Sequence, residues 1–145
     1  MVLIERSALV PHSATSMYAL VENVEAYPQF LPWCRAGEVS LREENRTVAT
    51  LHIDYRGMKQ HLTTDNRIVP GESIDMEFVS GPFRKLRGAW RFYPLAEDAA
   101  KVEFRLEYEI SNPLLARLIG PVFNHIANTM MDAFIRRADA LAEGK

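Results

Sequence analysis

Lys101 to Ile110 reads KVEFRLEYEI. Val102, Phe104, Leu106, Tyr108 and Ile110 alternate with Lys101, Glu103, Arg105, Glu107 and Glu109. Side chains of a strand point to opposite faces in turn, so this stretch is a strand with one dry face and one wet face. The same period runs upstream. Leu86, Gly88, Trp90 and Phe92 alternate with Arg87, Ala89, Arg91 and Tyr93. Ile74, Met76 and Phe78 alternate with Asp75 and Glu77, and Ala49, Leu51, Ile53 and Tyr55 with Thr50, His52, Asp54 and Arg56. Turn compositions fall between them at Arg56-Gly57, Pro70-Gly71, Ser80-Gly81-Pro82 and Glu97-Asp98. Between Arg35 and Ser111 this makes about six antiparallel strands. Val2 to Val10, ending at Pro11, adds a seventh.

Downstream the period changes. Asn112 suits an N-cap and Pro113 the first helical position. Arg117, His125, Asn128, Asp132, Arg136 and Asp139 form one polar stripe of a helix. Leu115, Ile119, Val122, Phe123, Ile126, Met130, Ala133, Phe134 and Leu141 form its apolar face. A continuous helix of about 28 residues is roughly 42 Å long. Pro121 lacks an N–H and crowds the carbonyl of Arg117, which predicts a kink or break at Gly120-Pro121. Arg137 falls on the apolar face, where a long side chain keeps its stem packed and its head wet. Near the start, Ser13 caps a short helix with Met17, Leu20 and Val21 inward, and Pro28 stops it near Tyr27. The expected fold class is α+β: short helices after the first strand, then a curved sheet covered by the last helix.

The chain has 145 residues, 48% of them hydrophobic, 25% charged, with a net charge of −2. These values predict one globular domain over residues 1–145. They argue against charge-driven DNA binding. Cys34 is the single cysteine, so no internal disulfide forms and a reducing, cytoplasmic setting is expected. Glu5 and Arg6 interrupt the apolar N-terminus too early for a signal-peptide core. The uncharged run Leu118–Met131 is too short to span a bilayer.

One stretch fits neither a helix nor a solvated loop: VENVEAYPQFLPWCR, Val21 to Arg35. Pro28 and Pro32 stiffen it, so Tyr27, Phe30, Leu31 and Trp33 are aimed in a fixed direction, either plugging the core or rimming an entrance. With RSALVPHSATSMYALVENVEAYPQFLPWC (Arg6–Cys34), VSGPFRKLRGAWRFYPL (Val79–Leu95), KVEFRLEYE (Lys101–Glu109) and VFNHIANTMMDAFIRRA (Val122–Ala138), it resembles the coenzyme-Q-binding START-like family, part of the polyketide cyclase/START superfamily. More narrowly it is similar to the bacterial ribosome-association toxin (RatA) group. Pro121 departs from that group's usual residue.

The resemblance implies a helix-grip fold: a curved seven-stranded antiparallel sheet wrapped around a long C-terminal helix. It also implies binding rather than catalysis. The first expectation is a carrier that supports respiratory electron transport by holding an isoprenoid quinone, ubiquinone, between sheet and helix. The second is a toxin that binds the large ribosomal subunit and blocks subunit association. The third is an enzyme like the polyketide cyclases. A quinone carrier would also visit the membrane surface, at its inner face.

The cavity lining expected for an apolar ligand is Leu51, Ile53, Tyr55, Met76, Phe78, Trp90, Phe92, Phe104, Leu106, Tyr108, Phe123, Ile126, Met130 and Phe134, any of which is otherwise plain core. Tyr55, Tyr108 and Trp90 carry polar handles for a quinone carbonyl, and the methionines adapt to a flexible tail. Tyr27, Phe30, Leu31, Trp33 and Pro121 are the expected gate. Arg84, Lys85, Arg87 and Arg91 make a basic stripe that either pairs with the acids of the next strand or meets ribosomal RNA. His12, His52, His61 and His125 lack zinc-ligand spacing, and Cys34 has only Arg35 beside it to activate it. No catalytic residue, metal or required cofactor is expected.

Overall fold

The computed structural model describes residues 1–144. Seven strands, β1 (Val2–Val10), β2 (Cys34–Glu43), β3 (Arg46–Tyr55), β4 (Met58–Val69), β5 (Ser73–Ser80), β6 (Phe83–Ala96) and β7 (Ala99–Ile110), form one antiparallel sheet. Its order is β1-β7-β6-β5-β4-β3-β2, so the six later strands form a meander and β1 returns to pair with β7. Register shifts place extra residues in β2, β5 and β6, bulges that bend and twist a sheet. They give the curvature that lets the sheet wrap a helix, the helix-grip architecture. The Arg56-Gly57 turn has positive φ at both residues, 49° and 83°, as a tight hairpin turn requires. Gly71, at φ 78°, closes the next hairpin, with Glu72 N–H donating to Val69 O at 2.9 Å.

Between β1 and β2 lie α1 (Ala14–Glu22) and a 3₁₀ turn, Val24–Gln29. Ser13 caps α1 by accepting from Ser16 N–H at 3.0 Å. The last element, α2 (Pro113–Ala142), is capped by Asn112, which accepts from Leu115 N–H at 2.8 Å. Thirty residues make it about 45 Å long. It buries Ile119, Phe123, Ile126, Ala127, Met131, Phe134 and Ala138, a stripe of helical period. Full burial of each large side chain contributes about 1.5–3 kcal/mol.

Two expectations about α2 are corrected. Of the kink or break expected at Gly120-Pro121, the break does not occur, since α2 runs through it as one helix. Pro121 removes one bond to the Arg117 carbonyl, but both residues are exposed, so water can satisfy that carbonyl. Ile119, Phe123 and Ile126 hold the helix to the sheet on either side of it. Leu141 is exposed rather than part of the apolar face, because it lies in the last turn, beyond the buried stripe that ends at Ala138.

Candidate functional site

The inner faces of β3 to β7, the apolar side of α2 and the α1–3₁₀ segment line a cavity of about 90 Å³. That space takes a handful of waters, well short of a polyprenyl quinone. Of the residues expected from parity, Leu51, Ile53, Met76, Trp90, Phe104, Leu106, Phe123, Ile126 and Met130 line it. Gly88 lets the wall close tightly here. A Cβ on it would lie 2.4 Å from Met76 Cε.

Tyr55, Phe78, Phe92, Tyr108 and Phe134 do not line the cavity. Phe92 packs against Tyr18 and Trp90, with ring centroids at 5.7 and 6.2 Å. Phe134 packs against Tyr27, Phe30 and Trp90. Tyr108 and Phe78 join Phe83 in an aromatic cluster that Phe123 also caps. The Tyr108 hydroxyl donates to Asn124 Oδ1 at 3.5 Å, and burial raises its pKa. Tyr55 sits at the end of β3, stacked on His125 at 6.3 Å with the Arg56 guanidinium 4.8 Å from its ring. Two of the three expected polar handles are therefore elsewhere.

Their place is taken by Thr47, Thr64 and Asn66, the buried polar residues of the chain's described part. Thr47 stands opposite Asn66 in the β3–β4 register, and Ala49 opposite Thr64. Asn66 Nδ2 donates to Thr47 Oγ1 at 3.2 Å, while Asn66 Oδ1 has no partner among the described residues. The sequence did carry a signal for them: Thr47 shares the parity of Ala49, Leu51 and Ile53, and Asn66 that of Leu62 and Ile68.

The expected gate is corrected. Leu31 is 1% exposed and Trp33 4%, and Tyr27 is buried with its hydroxyl donating to Val21 O. Phe30 is half-buried against Phe134, under the Arg137 guanidinium, which also donates to Gln29 Oε1 at 3.0 Å. The prolines face water and the aromatics face inward, so the loop closes the end of the core. Tyr27 and Trp33 still form part of the cavity wall. Pro121 lies apart, in a surface groove with Pro113, Gly120 and Asn124. Exposed apolar side chains of this region are Leu114 and Leu118, at 67% and 66%, on the first turns of α2, and Met1 and Val2 in the groove itself.

The basic stripe stands on the outer face of β6 and is largely neutralised. Arg91 pairs with Asp75 at 2.8 Å, Arg87 with Glu77 at 3.4 Å and Arg84 with Glu109 at 3.5 Å. Lys85 has no ion pair among the described residues. Exposed pairs such as these contribute little to stability, about 0–1 kcal/mol each.

Burial pushes the Cys34 thiol up to about 11, and its sulfur reaches the Ala36 carbonyl at 3.4 Å. It is protonated at neutral pH, the wrong state for a nucleophile. His52 lies 3.2 Å from Glu38, His61 meets Ser80 at 2.8 Å, and His12 binds Asp139 at 2.6 Å. No group of three or more His, Cys, Asp or Glu among the described residues is placed to hold a metal ion. No described helix is long and apolar enough to cross a membrane.

Residues 10–135 match the family described as polyketide cyclase / dehydrase and lipid transport. The chain is 43% identical over 138 residues to the ribosome association toxin RatA of Pseudomonas aeruginosa, covering 95% of this chain and 96% of that one. It is 24% identical to the mitochondrial coenzyme Q-binding protein COQ10 homolog B of Xenopus laevis, over 91% of this chain and 56% of that one. The Zhui aromatase/cyclase of a Streptomyces species superposes with a TM-score of 0.81 at 15% identity, over 96% of this chain and 94% of that one. That likeness is one of fold. Matched from β1 to the last turns of α2, the chain belongs to the polyketide cyclase / dehydrase and lipid transport family, and within it to the ribosome association toxin RatA group.

Proposed function

We propose that this protein acts by binding the large ribosomal subunit and hindering its association with the small one. The observation that carries this is 43% identity to a ribosome association toxin along nearly the full length of both chains. Identity to the coenzyme Q-binding relative is 24%, which ranks ribosome association above quinone carriage. Toxicity by occupancy requires a surface and no reaction. With a net charge of −2, any contact with RNA has to be local. The outer face of β6 is the candidate: Lys85 has no ion pair among the described residues, and Arg87, 72% exposed, can exchange Glu77 for a phosphate.

Sedimentation through sucrose gradients tests this. The protein is expected to travel with large subunits at about 50 mM salt and to leave them by about 200 mM. The joined-particle peak should shrink as protein is added. Lys85→Glu with Arg87→Glu should lower binding about tenfold and flatten its salt dependence. A charge-reversed protein that sediments like the wild type moves the contact to another face. A wild-type protein that never enters the large-subunit fractions rejects the reading.

A second reading has its own observation, the cavity: an apolar wall with polar groups gathered at one place, the usual form of a small-molecule site. Here the protein holds an apolar ligand between sheet and helix. A quinone is one member of that class. Entry must enlarge the resting space, and Met76 and Met130 are the wall residues best able to yield. Solvent extraction of protein purified without detergent, followed by mass spectrometry, is expected to return one apolar compound near stoichiometry. An extract without such a compound counts against this reading.

A further inference from the structure

We infer that the cavity selects a ligand whose polar head donates a hydrogen bond, such as a phenol or hydroquinone hydroxyl, over one that only accepts. This rests on the apolar-ligand reading and specifies its chemistry. The argument starts from Asn66, which is 6% exposed and stands in the cavity wall. One N–H of its amide donates to Thr47 Oγ1 at 3.2 Å. Its amide oxygen is buried and has no partner among the described residues. A buried polar atom without a hydrogen bond is costly, and most such atoms in folded proteins have a partner.

The chemistry of that atom decides the preference. A carbonyl-type oxygen only accepts, so its missing partner must be a donor. The hydroxyls of Thr47 and Thr64 can donate or accept and carry no preference of their own. The rest of the wall nearby is apolar, Ala49, Leu62, Ile68 and Ile74, except for Glu22, whose carboxylate is held by Arg42 and, like Oδ1, only accepts. Oδ1 is closed to water at rest, so the enlargement that admits a ligand has to uncover it, and a hydroxyl then seated against Asn66 satisfies Oδ1 and loses little. A ketone or ether in the same place leaves two acceptors facing each other.

The Thr47–Asn66 pairing across β3 and β4 fixes where this head sits. The polar head lies at the β3–β4 wall, and the apolar body extends toward Trp90, Phe104 and Phe123.

The test uses two probes of nearly equal apolar shape, 4-propylphenol and its methyl ether 4-propylanisole. Dissociation constants are measured by NMR titration on the wild type and on a Thr47→Val, Asn66→Leu variant. That variant removes both polar partners together, which leaves no new orphan behind. Wild type is expected to bind the phenol about tenfold more tightly than the ether. In the variant the order should invert, because a hydroxyl in a dry apolar cavity loses its bonds to water. Equal affinities in the wild type, tighter binding of the ether, or a phenol preference that survives in the variant would each overturn the inference. Failure of both probes to bind the wild type rejects the apolar-ligand reading itself, and the inference with it. The wild-type comparison stands alone if the variant does not fold.

Discussion

Gly37→Ala is expected to lower the unfolding midpoint by about 10 °C. Gly37 lies in β2 where the 3₁₀ turn crosses it, and a Cβ there would stand 2.1 Å from the Val24 carbonyl oxygen and 2.8 Å from its carbon. Both atoms are backbone, so no rotamer change relieves the contact. Alanine also restricts the unfolded chain, which favours folding by about 0.4–1 kcal/mol where the native site accepts it. Forcing a methyl into filled space costs about 1–3 kcal/mol or more. At 2.1 Å the clash wins, with a net loss of about 3 kcal/mol. Thermal unfolding followed by circular dichroism reads it. An unchanged midpoint would show that the 3₁₀ turn slides freely over β2 and would restore a movable gate at this end.

The second large effect concerns the same loop. Replacing Phe30, Leu31 and Trp33 together by serine is expected to unfold the protein. Leu31 and Trp33 are core, and truncating each costs about 2–5 kcal/mol before the buried hydroxyls are counted. Domains of this kind are stable by about 5–15 kcal/mol in all, so the sum consumes most of the margin. The near-ultraviolet signal and the cooperative transition should both be lost. Phe30→Ser alone, at a half-buried site, should leave a folded protein. A triple variant that melts like the wild type would mean that these side chains are dispensable to the core.

The alternation of KVEFRLEYEI and its upstream counterparts was enough to read the sheet, the hairpin breaks after β3, β4, β5 and β6 and the long covering helix, though not the turn at Glu44-Asn45, because period and turn chemistry are local properties. The cavity was legible only by face. Parity assigns Tyr55 and Tyr108 correctly to the inner side of the sheet but says nothing of position along the strand. Tyr55 lies at the last residue of β3 and Tyr108 near the end of β7, beyond the cavity. The polar cluster was missed because Thr47 and Asn66 meet only through the β3–β4 register, which brings together residues from separate strands. The loop misled for a different reason. Prolines and aromatics fix a direction without saying which, and here the direction is inward. Neutralisation of the basic stripe was open in the sequence and was decided by the pairing of β6 with β5 and β7. It sets Arg87 beside Glu77 and Arg91 two residues from the partner of Asp75.

The return of β1 to pair with β7 bears on how the chain is made. Val2 pairs with Tyr108, and Val10 with Ala100. At a synthesis rate of about 5–20 residues per second, the first strand leaves the exit tunnel seconds before its partner exists. Until then its backbone edge is open and the apolar side chains of Ile4 and Val10 have no core. The meander from β2 to β7 can zip hairpin by hairpin, with neighbours adjacent in sequence, whereas closing β1 onto β7 carries the entropy of the longest loop in the fold. The earliest strand to be synthesised is thus the last to be paired, and the nascent chain is most exposed to aggregation in that interval.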